Sequence, residues 1–272
     1  MRCGFLIEIS DLYVKYRWRQ EPIIKGVTAR FDDKHLILGP NGSGKTTLFR
    51  AIAGLTPISS GEVLIDGVDV STIYGEPGIL AVNLSEVYNV LHLNAYDNLR
   101  LYMDLVGGDL DYALSLLEQL GVDKMLLKRR KLWELSAGQQ KAFSTIAALA
   151  SKVKHVLLDE PFEQLDPARK SRLIEGLKEY NGVLLLNTHE TWLLTALSDW
   201  STVFVFEGKL YGPVPVSELL NASLVMGDEE EALLRFEASG CKYSLVKSAK
   251  GEALTKLTTL DKVYELAMGV QR

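Results

Sequence analysis

Residues 39–46 constrain this chain more than any other stretch. Gly39-Pro40-Asn41-Gly42-Ser43-Gly44-Lys45-Thr46 fits the pattern G-x-x-x-x-G-K-[ST] without a mismatch, and it lies between an apolar run at 36–38 and a helix-forming run from about Lys45 to Leu55. A strand that enters a glycine-rich turn and leaves as a helix gathers several backbone N–H groups at one point, where the helix dipole adds positive potential. Such a point binds phosphate. Lys45 brings a cation toward the β- and γ-phosphates of a nucleotide, and Thr46 offers a hydroxyl to Mg²⁺. Thr47 completes the candidate contacts with Gly39, Pro40, Asn41, Gly42, Ser43 and Gly44. A purely structural glycine turn would not need this order of strand, loop and helix.

A second constellation lies downstream. His155-Val156-Leu157-Leu158-Asp159-Glu160-Pro161 is an apolar strand that ends in two acids. The carboxylates therefore stand at the C-terminal edge of a strand, where ligands of α/β sheets bind. Asp159 is the expected holder of Mg²⁺ through water. The chain turns at the strand's end, so Glu160 can face the γ-phosphate and polarise an attacking water. Alone, the pair would be an acidic strand cap; behind a phosphate loop it reads as catalytic.

The rest of the pattern supplies a frame. Short β-rich pieces at 6–9, 12–14 and 27–31 predict a small antiparallel layer. From about Ser85 to Leu132 the pattern is helical, with Ala113, Leu116, Leu117 and Leu120 on one apolar face and Gly121 as a stop. This predicts an all-helical insert, about 85–135. A strand at 156–159, a helix at 167–179 and strands at 183–187 and 202–206 alternate as βαβ units do, which predicts a mainly parallel sheet. Gly212-Pro213-Val214-Pro215 marks a boundary. The expected fold is α/β: a P-loop NTPase core over residues 1–212, then a small C-terminal α+β unit over 213–272. Every candidate nucleotide contact falls before that boundary.

Composition removes several function classes. A net charge of −5 leaves no basic excess to attract phosphate backbones, so no nucleic-acid partner is expected. Cys3 and Cys241 lack metal-ligand spacing and suggest neither a zinc site nor a disulfide framework. No signal-like start and no apolar run of about eighteen residues stand in the sequence, so any membrane role is expected to be peripheral. Lys128 to Lys131 and Asp228 to Glu231 read as solvated faces.

About twenty residues before the two acids stands Leu135-Ser136-Ala137-Gly138-Gln139-Gln140-Lys141. With the phosphate loop and the acids, it resembles the ATP-binding cassette family, or ABC family. The resemblance covers residues 1 to about 212 and implies an ATPase that works as a dimer, two chains sandwiching two ATP molecules head to tail. It further implies a membrane-spanning permease as partner and a place on the inner face of the cell membrane. On this reading Ser136 donates a hydroxyl to the nucleotide of the other subunit and Gly138 lets a backbone N–H come close. Leu165-Asp166 looks like the loop linking the two sites, and the Asp-Pro pair also starts a helix well. His189 resembles the switch histidine at the γ-phosphate. Tyr16, about thirty residues before Lys45, resembles the aromatic that stacks on adenine, with Tyr13 and Trp18 near enough to compete.

Two positions depart from the family pattern. The glutamine that contacts Mg²⁺ at the start of the helical insert is missing: its slot falls on Ser85, with Asn83 as a shifted substitute, and both side chains are shorter. Ala137 replaces the first signature glycine. The tail, with Leu233-Leu234, Gly240 and the run Thr258 to Leu266, looks like the terminal domain of exporter-type cassettes; an amphipathic helix capped by Thr259 or Asp261 fits it as well. The leading function is therefore an ATP-hydrolysing transporter subunit. The alternative is a soluble ABC-type ATPase acting in assembly, repair or translation.

Overall fold

The computed structural model describes residues 4–73, 76–90, 92–247, 251–257 and 259–261. In chain order the first half runs β1 (Ile7–Val14), β2 (Ile24–Phe31), β3 (Lys34–Leu38), α1 (Lys45–Ile52), β4 (Ser60–Ile65), β5 (Val68–Asp69), β6 (Ala81–Val82), α2 (Ala95–Val106), α3 (Leu110–Gln119) and α4 (Lys124–Arg129). The second runs α5 (Ala137–Ala150), β7 (His155–Asp159), α6 (Pro167–Glu179), β8 (Val183–Thr188), α7 (Leu193–Ala196), β9 (Ser201–Phe206), β10 (Lys209–Pro215), α8 (Val216–Leu219), β11 (Ser223–Met226), β12 (Ala232–Ala238), β13 (Cys241–Val246) and β14 (Glu252–Ala253).

Three sheets result. An antiparallel layer has the order β2-β1-β4-β5. The expected strands at 6–9 and 12–14 are one strand, irregular in register between Ile9 and Leu12, where Asp11 takes a φ of 45°. The central sheet has the order β10-β9-β3-β8-β7-β6 and is parallel except for its edge strand β10. A third sheet, β12-β13-β11-β14, is antiparallel. Gly212 to Pro215, read in sequence as a boundary, lies inside β10, where an edge strand tolerates proline and the register is irregular.

Side-chain alternation explains why the central strands are apolar throughout. Ile37, Leu157 and Leu185 enter one core cluster together with Leu48, Phe49 and Ile52 of α1 and the antiparallel layer. Their neighbours Leu36, Leu38, Val156, Leu158, Leu184 and Leu186 enter the other, with Phe143 and Ile146 of α5. Successive residues of a strand face opposite ways, so a sheet covered on both faces needs apolar residues at every position. The sheet's exit edge is thereby held on both sides.

Helices α2, α3 and α4 form the insert, each capped by a side chain: Asn94, Asp109 and Asp123 accept from backbone N–H groups of their first turns. Ala113, Leu117 and Leu120 are buried as the spacing predicts. Residues 85–90 and 92–94 are not α-helical; they hold a 3-10 turn, Ser85–Val87, and irregular chain. Among the described residues no helix is long and apolar enough to cross a membrane.

Candidate nucleotide site

β3 delivers the chain to the loop and α1 carries it away. Gly44 caps α1 with φ 109°, a conformation that side chains with a Cβ rarely adopt. At Gly39 a Cβ would stand 2.4 Å from the Val205 carbonyl oxygen and 2.8 Å from Ser43 Oγ, so the loop begins pressed against β9. The Ser43 hydroxyl is buried without a partner among the described residues. A curled loop with a spare buried hydroxyl suits an oxygen-rich group such as phosphate. Lys45 Nζ donates to the carbonyls of Gly39 at 2.7 Å and Pro40 at 3.1 Å, and lies 3.9 Å from Glu160 Oε1. Burial draws the Lys45 ammonium below the usual lysine range, while the carboxylates of Glu160, Asp159 and Asp261 act the other way.

The acids occupy the end of β7. Asp159 Oδ1 lies 3.2 Å from Thr46 Oγ1 and accepts from Asn187 Nδ2 at 2.5 Å. The Asp159 backbone is clamped as well: its N–H donates to Asn83 Oδ1 at 2.6 Å, and its carbonyl accepts from Asn83 Nδ2 at 3.2 Å and Lys141 Nζ at 2.9 Å. Glu160 turns out of the strand at φ 45°. Its Oε2 accepts from Thr188 Oγ1 at 2.9 Å, and its Oε1 lies 2.8 Å from His189 Nδ1. Lys45, Glu160 and His189 are therefore one connected group, assembled from three neighbouring parallel strands.

Two oxygens, Thr46 Oγ1 and Asp159 Oδ1, form the metal-competent part. Among the described residues no cluster of three or more His, Cys, Asp or Glu offers an all-protein cage. One hydroxyl and one carboxylate fit a Mg²⁺ ion that keeps several waters and takes further ligands from the phosphates. Asn83, the shifted substitute, is 1% exposed, and both ends of its amide are engaged, with Asp159 and with Thr145 Oγ1 at 3.1 Å, so its visible work is to hold the end of β7. Ser85 opens its 3-10 turn, and its side chain lies outside the described residues.

Ser136 caps α5: its Oγ accepts from Gln139 N–H and Gln139 Oε1 accepts from Ser136 N–H, a reciprocal capping box. Ala137 is the helix's first residue. A Cβ at Gly138 would meet the Gln164 carbonyl oxygen at 3.4 Å, so the signature turn packs against the loop that precedes α6. Asp166 Oδ1 caps α6 by accepting from Arg169 N–H at 3.0 Å. Among the described residues no hydrogen bond joins Ser136, Gly138 or Asp166 to the phosphate loop. Tyr16 stacks on Trp18 at 4.9 Å and 3°, and Trp18 is 79% exposed, so the two rings form one open platform. Tyr13 stands apart on β1.

Sequence reasoning missed the polar residues that hold the acids. Asn187 and Thr188 end an otherwise apolar β8, a signal that could have marked them. Asn83 was read only as a substitute for the missing glutamine and Lys141 only as part of the signature run, and neither gave a local signal of its bond to Asp159. Asp261, read as a helix cap, accepts from Asn41 N–H of the phosphate loop at 2.7 Å and from Asn41 Nδ2 at 3.1 Å. One contact with the phosphate loop thus comes from beyond residue 212.

A family model described as ABC transporter matches residues 27–163. Over 200 residues the chain is 32% identical to the thiamine import ATP-binding protein of Ruegeria sp. (strain TM1040), a match covering 70% of this chain and 84% of that protein. Among solved structures, an ATP-binding protein provisionally assigned to cobalt transport superposes with a TM-score of 0.88 at 36% identity, over 96% of this chain and 99% of that one. A dimeric bacterial ABC transporter cassette shares the fold at 20% identity, with a TM-score of 0.66 over 77% of this chain and 98% of that one. The chain belongs to the ABC transporter family, as an ATP-binding and ATP-hydrolysing subunit.

Proposed function

We propose that this chain binds MgATP in the loop 39–46, closes as a dimer on it, and by hydrolysing it drives a separate membrane-spanning permease from the inner face of the membrane. The observation that carries the reading is Glu160, fixed by Thr188 and His189 within 3.9 Å of the phosphate-loop lysine. In the mechanism, Gly39 to Thr47 hold the phosphates with backbone donors and Lys45 offsets their charge. Thr46 and Asp159 would hold Mg²⁺, which neutralises charge on the phosphates when bound; Ser85 remains a further candidate. Glu160 orients and polarises the attacking water, and its tie to His189 keeps the carboxylate aimed. Tyr16 is the candidate adenine platform, shared with Trp18.

Ser136 is exposed and Gly138 half-buried at the start of α5, and among the described residues neither bonds its own chain's phosphate loop, which suits contact with a nucleotide on a second cassette. The similar dimeric cassette supports the same arrangement. The division into residues 1–212 and 213–272 belongs to this reading, although β10 carries the central sheet on to Pro215.

Glu160→Gln tests the proposal. It keeps the shape and removes the base, so MgATP binding should persist while turnover falls on the order of 10²-fold or more. Light scattering should show a nucleotide-dependent dimer. Turnover equal to wild type would remove Glu160 from the mechanism.

A further inference from the structure

The last described residues of the chain return to the nucleotide site. After β14 pairs with β11, a 3-10 turn at Leu254–Lys256 leads the chain off the third sheet. Leu254, Leu257 and Leu260 are each 1% exposed and anchor this segment in the core. It then runs beside the residues that follow β8. The Thr191 hydroxyl donates to the Leu257 carbonyl, Glu190 and Thr259 form an antiparallel bridge, and Leu260 N–H donates to the His189 carbonyl at 3.1 Å. Asp261 comes next, with both carboxylate oxygens on Asn41 of the phosphate loop.

We propose that Asp261 is a residue of the nucleotide site whose carboxylate competes with the triphosphate for the mouth of the phosphate loop, so that nucleotide binding detaches the segment ending at Asp261. The proposal rests on the ATP-binding reading and adds to it a contact from the C-terminal part of the chain. A carboxylate resembles the edge of a phosphate: negative, with two acceptor oxygens. Here it holds a backbone N–H of the very loop whose N–H groups receive phosphate. It also shares the field of Lys45 with Asp159 and Glu160. A polyanion entering this loop meets Asp261 as a like charge that cannot stay close at no cost.

The contact links two regions. Because Leu260 holds the backbone of His189, release of Asp261 also loosens the strand end that carries the switch histidine. By reciprocity, anything that steadies the segment on the third sheet weakens nucleotide binding, and nucleotide weakens that attachment.

The test uses the full chain and a non-hydrolysable MgATP analogue, with affinity read by isothermal titration calorimetry. Asp261→Asn keeps a hydrogen-bond acceptor for Asn41 and removes the charge; Asp261→Ala removes both. Each should tighten binding about fivefold, the effect of one partly exposed charge contact. Affinity unchanged or weakened in Asp261→Asn overturns the proposal. Hydrogen exchange on the unmodified chain gives a second reading that needs no variant. Saturating analogue should speed exchange at the Leu260 amide, and protection kept or raised there overturns the proposal. Lys45→Ala separates the two levels. If the wild type binds, Lys45→Ala does not, and Asp261→Asn equals the wild type, only the competition fails. If the wild type binds no analogue at all, the ATP-binding reading falls and the competition falls with it.

Discussion

At the scale of single residues, the site depends on side chains that never meet the substrate. Asn83 satisfies the buried Asp159 N–H and carbonyl at once, which fixes where the carboxylate points. Replacing it by Ala leaves that N–H buried and unpaired, a cost of about 1–3 kcal/mol. Asn83→Ala should therefore lower the urea midpoint of unfolding without a change of slope, and its turnover should fall more than its nucleotide affinity. A variant as stable as wild type would show that Asn83 does not clamp the strand end. The residue was legible in sequence only as a stand-in for a missing glutamine. Its partner, Asp159, lies 76 positions away, and no local pattern reports a contact of that range.

Among the elements, α5 carries the most. Its first turn is the exposed signature, its second holds Lys141 on the Asp159 carbonyl, and its body is buried from Ala142 to Ala150. Phe143 is fully buried and meets Tyr88 edge-on at 6.3 Å. Phe143→Ala opens a cavity under the central sheet and should cost about 3–5 kcal/mol in denaturant melts. Ser136→Ala removes only the cap, about 1 kcal/mol of helix stability, so a much larger loss of turnover than of stability is expected if the hydroxyl also serves a second cassette. A turnover loss no larger than the stability change predicts would confine Ser136 to capping. The start and end of α6, from Pro167 to Glu179, could be read directly, because Asp-Pro is a local start signal. The start of the insert could not, because residues 85–90 and 92–94 share an apolar content with helices but lack their hydrogen-bonding context.

For the whole molecule, the third sheet is bound to the central one by aromatic stacking. Phe206 of β9 stacks on Phe236 of β12 at 4.2 Å, and Phe236 on Tyr243 at 5.5 Å. Cutting the chain after Pro215 would bare Phe206 and Val214, now 1% and 5% exposed. The truncated chain should melt several degrees lower by circular dichroism, since about 2–4 °C accompany each kcal/mol lost in a domain of roughly this size. An unchanged melting temperature would make the C-terminal sheet an independent unit. Asp261→Asn leaves that sheet in place, so it should show the gain in nucleotide affinity without the fall in melting temperature.

The chemistry written in short stretches needed only the sequence: the phosphate loop, the strand ending in Asp159 and Glu160, the signature start at Ser136 and the alternation of strands with helices. Each is a local signal, because a turn, a cap or a buried strand is selected by neighbours within a few residues. Tertiary structure decided the rest. It set Glu160 against His189 and Lys45, engaged Asn83 with the Asp159 backbone, and carried Asp261 across 220 positions to Asn41. Contacts of that range depend on how sheets stack and where the chain re-enters the core, and burial, which drives both, belongs to the folded whole.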